Sequence, residues 1–118
     1  MLDREYYEEA EQAFAEVPAL SKDEKLLERA LFGVGKARLQ LGQFEKALEP
    51  LEAFKEKYPA SAFYFEVRFV LAGVYKQLEQ FDKAVTELKD IFLQSKSAAE
   101  KNEADLEYAR IQLSLIHI

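Results

Sequence analysis

Residues 44–54 read Phe44-Glu45-Lys46-Ala47-Leu48-Glu49-Pro50-Leu51-Glu52-Ala53-Phe54. Phe44, Ala47, Leu51 and Phe54 fall at −3, 0, +4 and +7 about the alanine, the spacing that gathers apolar side chains on one face of an α-helix. The same pattern stands 37 residues earlier in Tyr7, Ala10, Phe14 and Val17, and 37 residues later in Phe81, Ala84, Leu88 and Ile91. One helix is written three times. A second is interleaved with it. Phe32, Phe69 and Leu106 stand in register, as do Val34, Leu71 and Tyr108. So do the small residues Gly35, Ala72 and Ala109, followed by Ala37, Val74 and Ile111. A helix pair cannot bury its apolar stripe alone, so copies of one pair must stack to build a core.

The punctuation agrees with two helices per repeat. Leu41-Gly42-Gln43 supplies a glycine suited to a left-handed helix end. Tyr58-Pro59-Ala60-Ser61 stops the next helix, because proline cannot continue a helix interior. Ser21 with Glu24, and Ser97 with Glu100, have the spacing of a capping box. These signals predict helices near 3–17, 22–41, 44–58, 62–79, 82–95 and from 98 to the end. Gly35 and Ala72 are expected to let one helix approach its partner at Ala47 and Ala84. Pro50 falls inside a predicted helix, where it removes the backbone bond to Lys46 at a typical cost of about 3 kcal/mol.

Composition narrows the function. The chain has 118 residues, 49% of them apolar and 32% charged, with only four Gly and three Pro. That balance, rich in Ala, Leu, Glu, Lys and Gln, favours an all-α protein. A net charge of −6 repels phosphate backbones, so nucleic acid is not an expected partner. No apolar run is long enough for direct membrane insertion, and Met1 is followed by Leu-Asp-Arg-Glu rather than by a secretory leader. Cysteine is absent. Glu5, Glu8, Glu9 and Glu11 read as the solvated face of the first helix. His117 is the single histidine. There is no Gly-rich phosphate loop, no nucleophile motif and no convergent ligand set. The chain therefore reads as a non-enzyme with no catalytic residues, cofactor or metal.

Leu31-Phe32-Gly33-Val34-Gly35, followed by Gly42, Phe44, Ala47, Leu51, Phe54 and Pro59, resembles the tetratricopeptide repeat in order and spacing. Leu71, Ala72, Tyr75, Phe81, Ala84 and Leu88 carry the likeness into a second copy. Glu79 replaces the turn glycine there, no proline follows Ile91, and Arg38 stands where an aromatic is usual. The resemblance implies a right-handed superhelical solenoid of helix-turn-helix units, about six helices here. It also implies a scaffold that binds a protein or peptide on a concave face lined by the first helices. On that face it sets Phe32, Lys36 and Gln40 in one copy, Phe69, Gly73 and Gln77 in the next, then Leu106 and Arg110. Aromatics beside Lys36 and Arg110 suit a peptide with apolar side chains and some acidic character. At helical spacing Phe32 and Phe69 equally fit a core. A carboxylate-clamping site would need polar groups where these two phenylalanines stand. The repeat of 37 residues, against about 34 in the family, resembles bacterial envelope members such as the Tol-Pal coordinator and outer-membrane assembly lipoproteins. That implies periplasm or cell envelope, while the residues themselves fix no compartment.

Residues 1–112 read as a repeat fragment: an orphan second helix at 3–17, repeats at 22–58 and 62–95, and an orphan first helix at 98–112. Leu113-Ser114-Leu115-Ile116-His117-Ile118 matches the translation of CTG TCT CTT ATA CAC ATC, a transposon-end sequencing adaptor. The expectation is that 113–118 is a non-native tail; the other reading is a genuine apolar terminus, with Leu113 and Leu115 matching Leu39 and Leu41. Either way the orphan helices leave apolar faces open to head-to-tail self-association. The alternative to a binding scaffold is thus a spacer or self-associating segment of a longer envelope-associated array. Substituting Ala47→Leu should overpack the helix crossing and lower stability by about 1–3 kcal/mol, read as an earlier thermal melt.

Overall fold

A computed structural model describes residues 2–116, so His117 and Ile118 of the expected tail lie outside the described residues. Six helices follow in order: α1 Leu2–Leu20, α2 Glu24–Gln40, α3 Phe44–Lys57, α4 Tyr64–Gln77, α5 Phe81–Gln94 and α6 Ala98–Ile116. No strand occurs among the described residues. The architecture is the all-α helical repeat that the periodicity demands. Two compact units divide it, one running through Tyr64 and the other from Phe65.

In the first unit, α2 packs against both α1 and α3. Ala47, Leu51 and Phe54 of α3 retain no exposed surface. Gly35 takes the Leu51 side chain: a Cβ on Gly35 would lie 2.5 Å from Leu51 Cδ2. The close approach expected of Gly35 is thus filled by the leucine one turn beyond Ala47. On the opposite side of the pair, the Phe14 ring of α1 sits where a Cβ on Gly33 would point, 2.6 Å away.

The helix ends shift by a few residues from their expected places, for local reasons. The N-cap of α2 is Asp23, whose carboxylate accepts from Lys25 N–H at 2.9 Å; Ser21 instead accepts from Asp23 N–H. An ionised oxygen is the stronger acceptor for these orphan donors. Ser97 does cap α6, accepting from Glu100 N–H at 3.3 Å. Helix α1 runs through Pro18 to Leu20, and its last turn closes with Ser21 N–H donating to Val17. At the two equivalent turns, Gly42 has φ 75° and Glu79 φ 60°. Both turns use the same pair of bonds, from Gly42 and Gln43 to Leu39 and Arg38, and from Glu79 and Gln80 to Lys76 and Tyr75. Glu79 therefore adopts the left-handed conformation at a cost of about 1–2 kcal/mol that Gly42 avoids.

The connection after α3 is tied back to α2. Tyr58 donates to Glu24 at 3.1 Å, and Ser61 donates to Glu28. Desolvation, then the neighbouring Glu24 carboxylate, raises the Tyr58 hydroxyl pKa above its ordinary value.

Arg38 resolves two features that the sequence leaves unconnected. Pro50 has no N–H, so the Lys46 carbonyl loses its helical donor. Arg38 Nη1 donates to that carbonyl at 2.9 Å, while its Nε donates to Glu11 of α1 at 2.9 Å. One guanidinium thereby joins three helices and satisfies the acceptor that Pro50 orphans. The arginine in place of the usual aromatic is the counterpart of the proline.

In the second unit, α4 and α5 are held by an ion cluster. Arg68 is only 3% exposed. It donates to Glu87 and Asp90, each at 2.8 Å, and to Gln94 at 3.5 Å. One period earlier the same positions carry Leu31, Pro50, Ala53 and Lys57. Equivalent helix crossings are thus ionic in one repeat and largely apolar in the other. Val67, Leu71, Val74, Ala84, Leu88 and Ile91 are buried around the cluster, and α6 adds Ala104 and Ile111 against α5.

Replacing Arg38 by Leu should cost about 1–2 kcal/mol in urea denaturation. In a Pro50→Ala background the substitution restores a backbone N–H that can serve the Lys46 carbonyl. Part of the loss should then vanish, giving a coupling of about 0.5 kcal/mol or more.

Candidate partner-binding surface

Helices α4 and α6 form a small groove in the second unit, about 140 Å³ in volume. Phe69, Ala72, Gly73 and Lys76 line it from α4, at the i, i+3, i+4 and i+7 positions of one helical face. Glu103 and Glu107 line it from α6, with Leu88 and Ile111 beneath. Two carboxylates thus share the groove with one lysine. Phe69 is half-buried and Gly73 exposed. No atom lies within 4 Å of the place a Gly73 Cβ would occupy, so the absence of a side chain here is not required by any neighbour within the chain. A mid-helix glycine carries an entropic cost, and it gives a ligand direct access to the backbone.

The other residues expected on this surface are distributed unevenly. Gln77, Leu106 and Arg110 are exposed but do not line the groove; Arg110 is linked to it through an ion pair with Glu107. In the first unit, Phe32 is buried, with its ring 5.9 Å from Phe54 and 6.1 Å from Phe63. Lys36 is exposed and holds its ammonium 4.7 Å from the Phe32 ring centroid, while Gln40 is exposed at the last turn of α2. Phe32 therefore serves the core of that unit and supports Lys36 by a cation–π contact. Its repeat counterpart Phe69 reaches a groove.

Lys76, Glu103 and Glu107 were not legible as groove residues from the repeat alone. Their signal was present, since Glu103 and Glu107 are four apart and Lys76 is seven after Phe69, but only the α4–α6 neighbourhood turns those spacings into one lining. No group of three His, Cys, Asp or Glu residues able to hold a metal occurs among the described residues. No described helix is long and apolar enough to cross a membrane.

The helical pair α2–α3, with its glycine turn at Gly42 and its tethered exit at Tyr58–Ser61, coincides with a family match. Residues 29–61 match the model of the tetratricopeptide repeat. This stretch is a tetratricopeptide repeat. No curated protein and no solved structure matches the chain. Tetratricopeptide repeats are in general non-catalytic scaffolds for protein–protein interaction, and their typical ligands are proteins or peptides. The match covers one repeat, and the 37-residue register carries the pattern into the flanking helices.

Because Gly73 faces open space, Gly73→Ala should raise stability by about 0.5–1 kcal/mol through the helix backbone alone, measured as a higher urea midpoint.

Proposed function

We propose that this chain is a protein-interaction scaffold that binds a peptide or protein segment in the α4–α6 groove. The observation that carries the reading is the open glycine: Gly73 leaves its site unfilled beside the half-buried Phe69. A partner's apolar side chain would pack over Gly73 against the Phe69 ring, and a basic group beside it would meet Glu103, in place of the acidic character expected from Lys36 and Arg110, because Glu107 is already paired with Arg110. Apolar contact supplies affinity, and the charges set orientation. The α2 row of Phe32, Lys36 and Gln40 enters the proposal through repeat register alone, as does the Leu106 and Arg110 extension on α6.

A second reading, a spacer or self-associating segment, is favoured by the apolar side chains left exposed on α1 and α6. Leu20, Leu106, Leu113 and Ile116 are all among them.

Selection from a displayed peptide library on the 118-residue chain tests the first reading. The selected peptides should lose about tenfold or more in affinity on Gly73→Trp, which fills the groove, and on Phe69→Ala. The Gly73→Trp variant should melt no earlier than the parent. A selection whose peptides all bind the Gly73→Trp chain undiminished would overturn the groove as the binding site.

A further inference from the structure

A larger hollow, about 520 Å³ in volume, lies among the three helices of the first unit. Phe14 and Pro18 line it from α1, Leu27 and Leu31 from α2, and Pro50 and Ala53 from α3. Helix α2 packs against both α1 and α3, so the three walls are held together within one unit. A hollow of that size, apolar with a few charged groups at its rim, is the form that ligand sites take.

The next repeat fills the corresponding positions from within the chain. One period beyond Leu31, Pro50, Ala53 and Lys57 stand Arg68, Glu87, Asp90 and Gln94. There the buried Arg68 guanidinium bridges α4 to α5 and donates to all three of its counterparts. In the first unit Leu31 has no such reach, and the side chains of Pro50 and Ala53 offer no acceptor. The hollow is therefore apolar where its counterpart is ionic. Charged groups stand only at its rim. Glu24 accepts from Tyr58, and Arg38 donates to Glu11 and to the Lys46 carbonyl. Glu49 and Lys57 also line the hollow, both are exposed, and neither side chain has a polar partner among the described residues. They are eight residues apart on α3, which is about 12 Å along a helix.

We infer that the hollow between α1, α2 and α3 docks a partner's peptide segment, with apolar side chains set between a basic residue at Glu49 and an acidic residue at Lys57. This site is separate from the α4–α6 groove, which belongs to the other unit. Burial against Phe14, Leu31 and Pro50 supplies the affinity. The two opposite charges, one toward each end of α3, fix the direction in which the segment runs.

A displayed peptide library panned on the Gly73→Trp chain, whose α4–α6 groove is filled, tests this. The peptides recovered should carry a basic and an acidic residue on either side of an apolar core. Ala15 lines the hollow and is exposed, so Ala15→Trp occupies the space without entering the core. It should weaken these peptides about tenfold or more, with the melt of the chain retained. Glu49→Lys should weaken them as well. A peptide whose basic residue is changed to Glu should then bind Glu49→Lys more tightly than it binds the Gly73→Trp parent, a reversal that misfolding does not produce. A panning that recovers no binder, peptides without the charge pattern, or peptides that bind Ala15→Trp undiminished would each overturn the inference. So would a sedimenting mass that falls to the monomer on Ala15→Trp, because a second copy would then be the occupant.

Discussion

The structure depends on one constraint: the alanines at the centres of α3 and α5 are enclosed on every side, so no larger side chain fits there. Ala47 and Ala84 have no exposed surface, and the residues four and seven beyond them are buried with them. At such a crossing the interaxial distance is set by the smallest side chains present. Gly35 extends the same economy to Leu51. Once these contacts close, the positions of the turns follow, because the chain must reverse within a few residues at Gly42 and at Glu79. The left-handed backbone at Glu79 shows that tertiary packing dictates the turn even where the residue type opposes it.

Around this common frame the two units answer their polar requirements differently. In the first, Pro50 frees a carbonyl and Arg38 takes it, carrying a charge from α1 to α3. In the second, Arg68 is buried with Glu87 and also reaches the half-buried Asp90, where the first has apolar residues. A buried ion cluster is weak support for stability, because desolvation offsets most of the attraction. It does restrict geometry, since a slip of one turn would leave Glu87 buried without its cation. The apolar crossing of the first unit has no comparable restriction, and there Arg38 joins the three helices instead.

The surfaces open to partners arise from the same repeat. Phe32 and Phe69 occupy equivalent positions, yet one is enclosed by Phe54 and Phe63 while the other borders a groove beside an unfilled glycine. A repeat protein presents such surfaces because each unit is built to be covered by a neighbour.

The sequence by itself determined the number of helices, their order, their apolar stripes and the 37-residue register, because each of these is written in residues three or four apart. It also marked the tetratricopeptide likeness of residues 29–61 and the row containing Phe69. What only the tertiary structure decided involves partners far along the chain. Arg38 reaches the Lys46 carbonyl across a helix crossing, Arg68 finds Glu87 and Asp90, and Glu103 and Glu107 come beside Lys76. Whether Phe32 lies inside or at the surface was equally undetermined, since helical spacing fixes the face a residue occupies and not what is packed against that face.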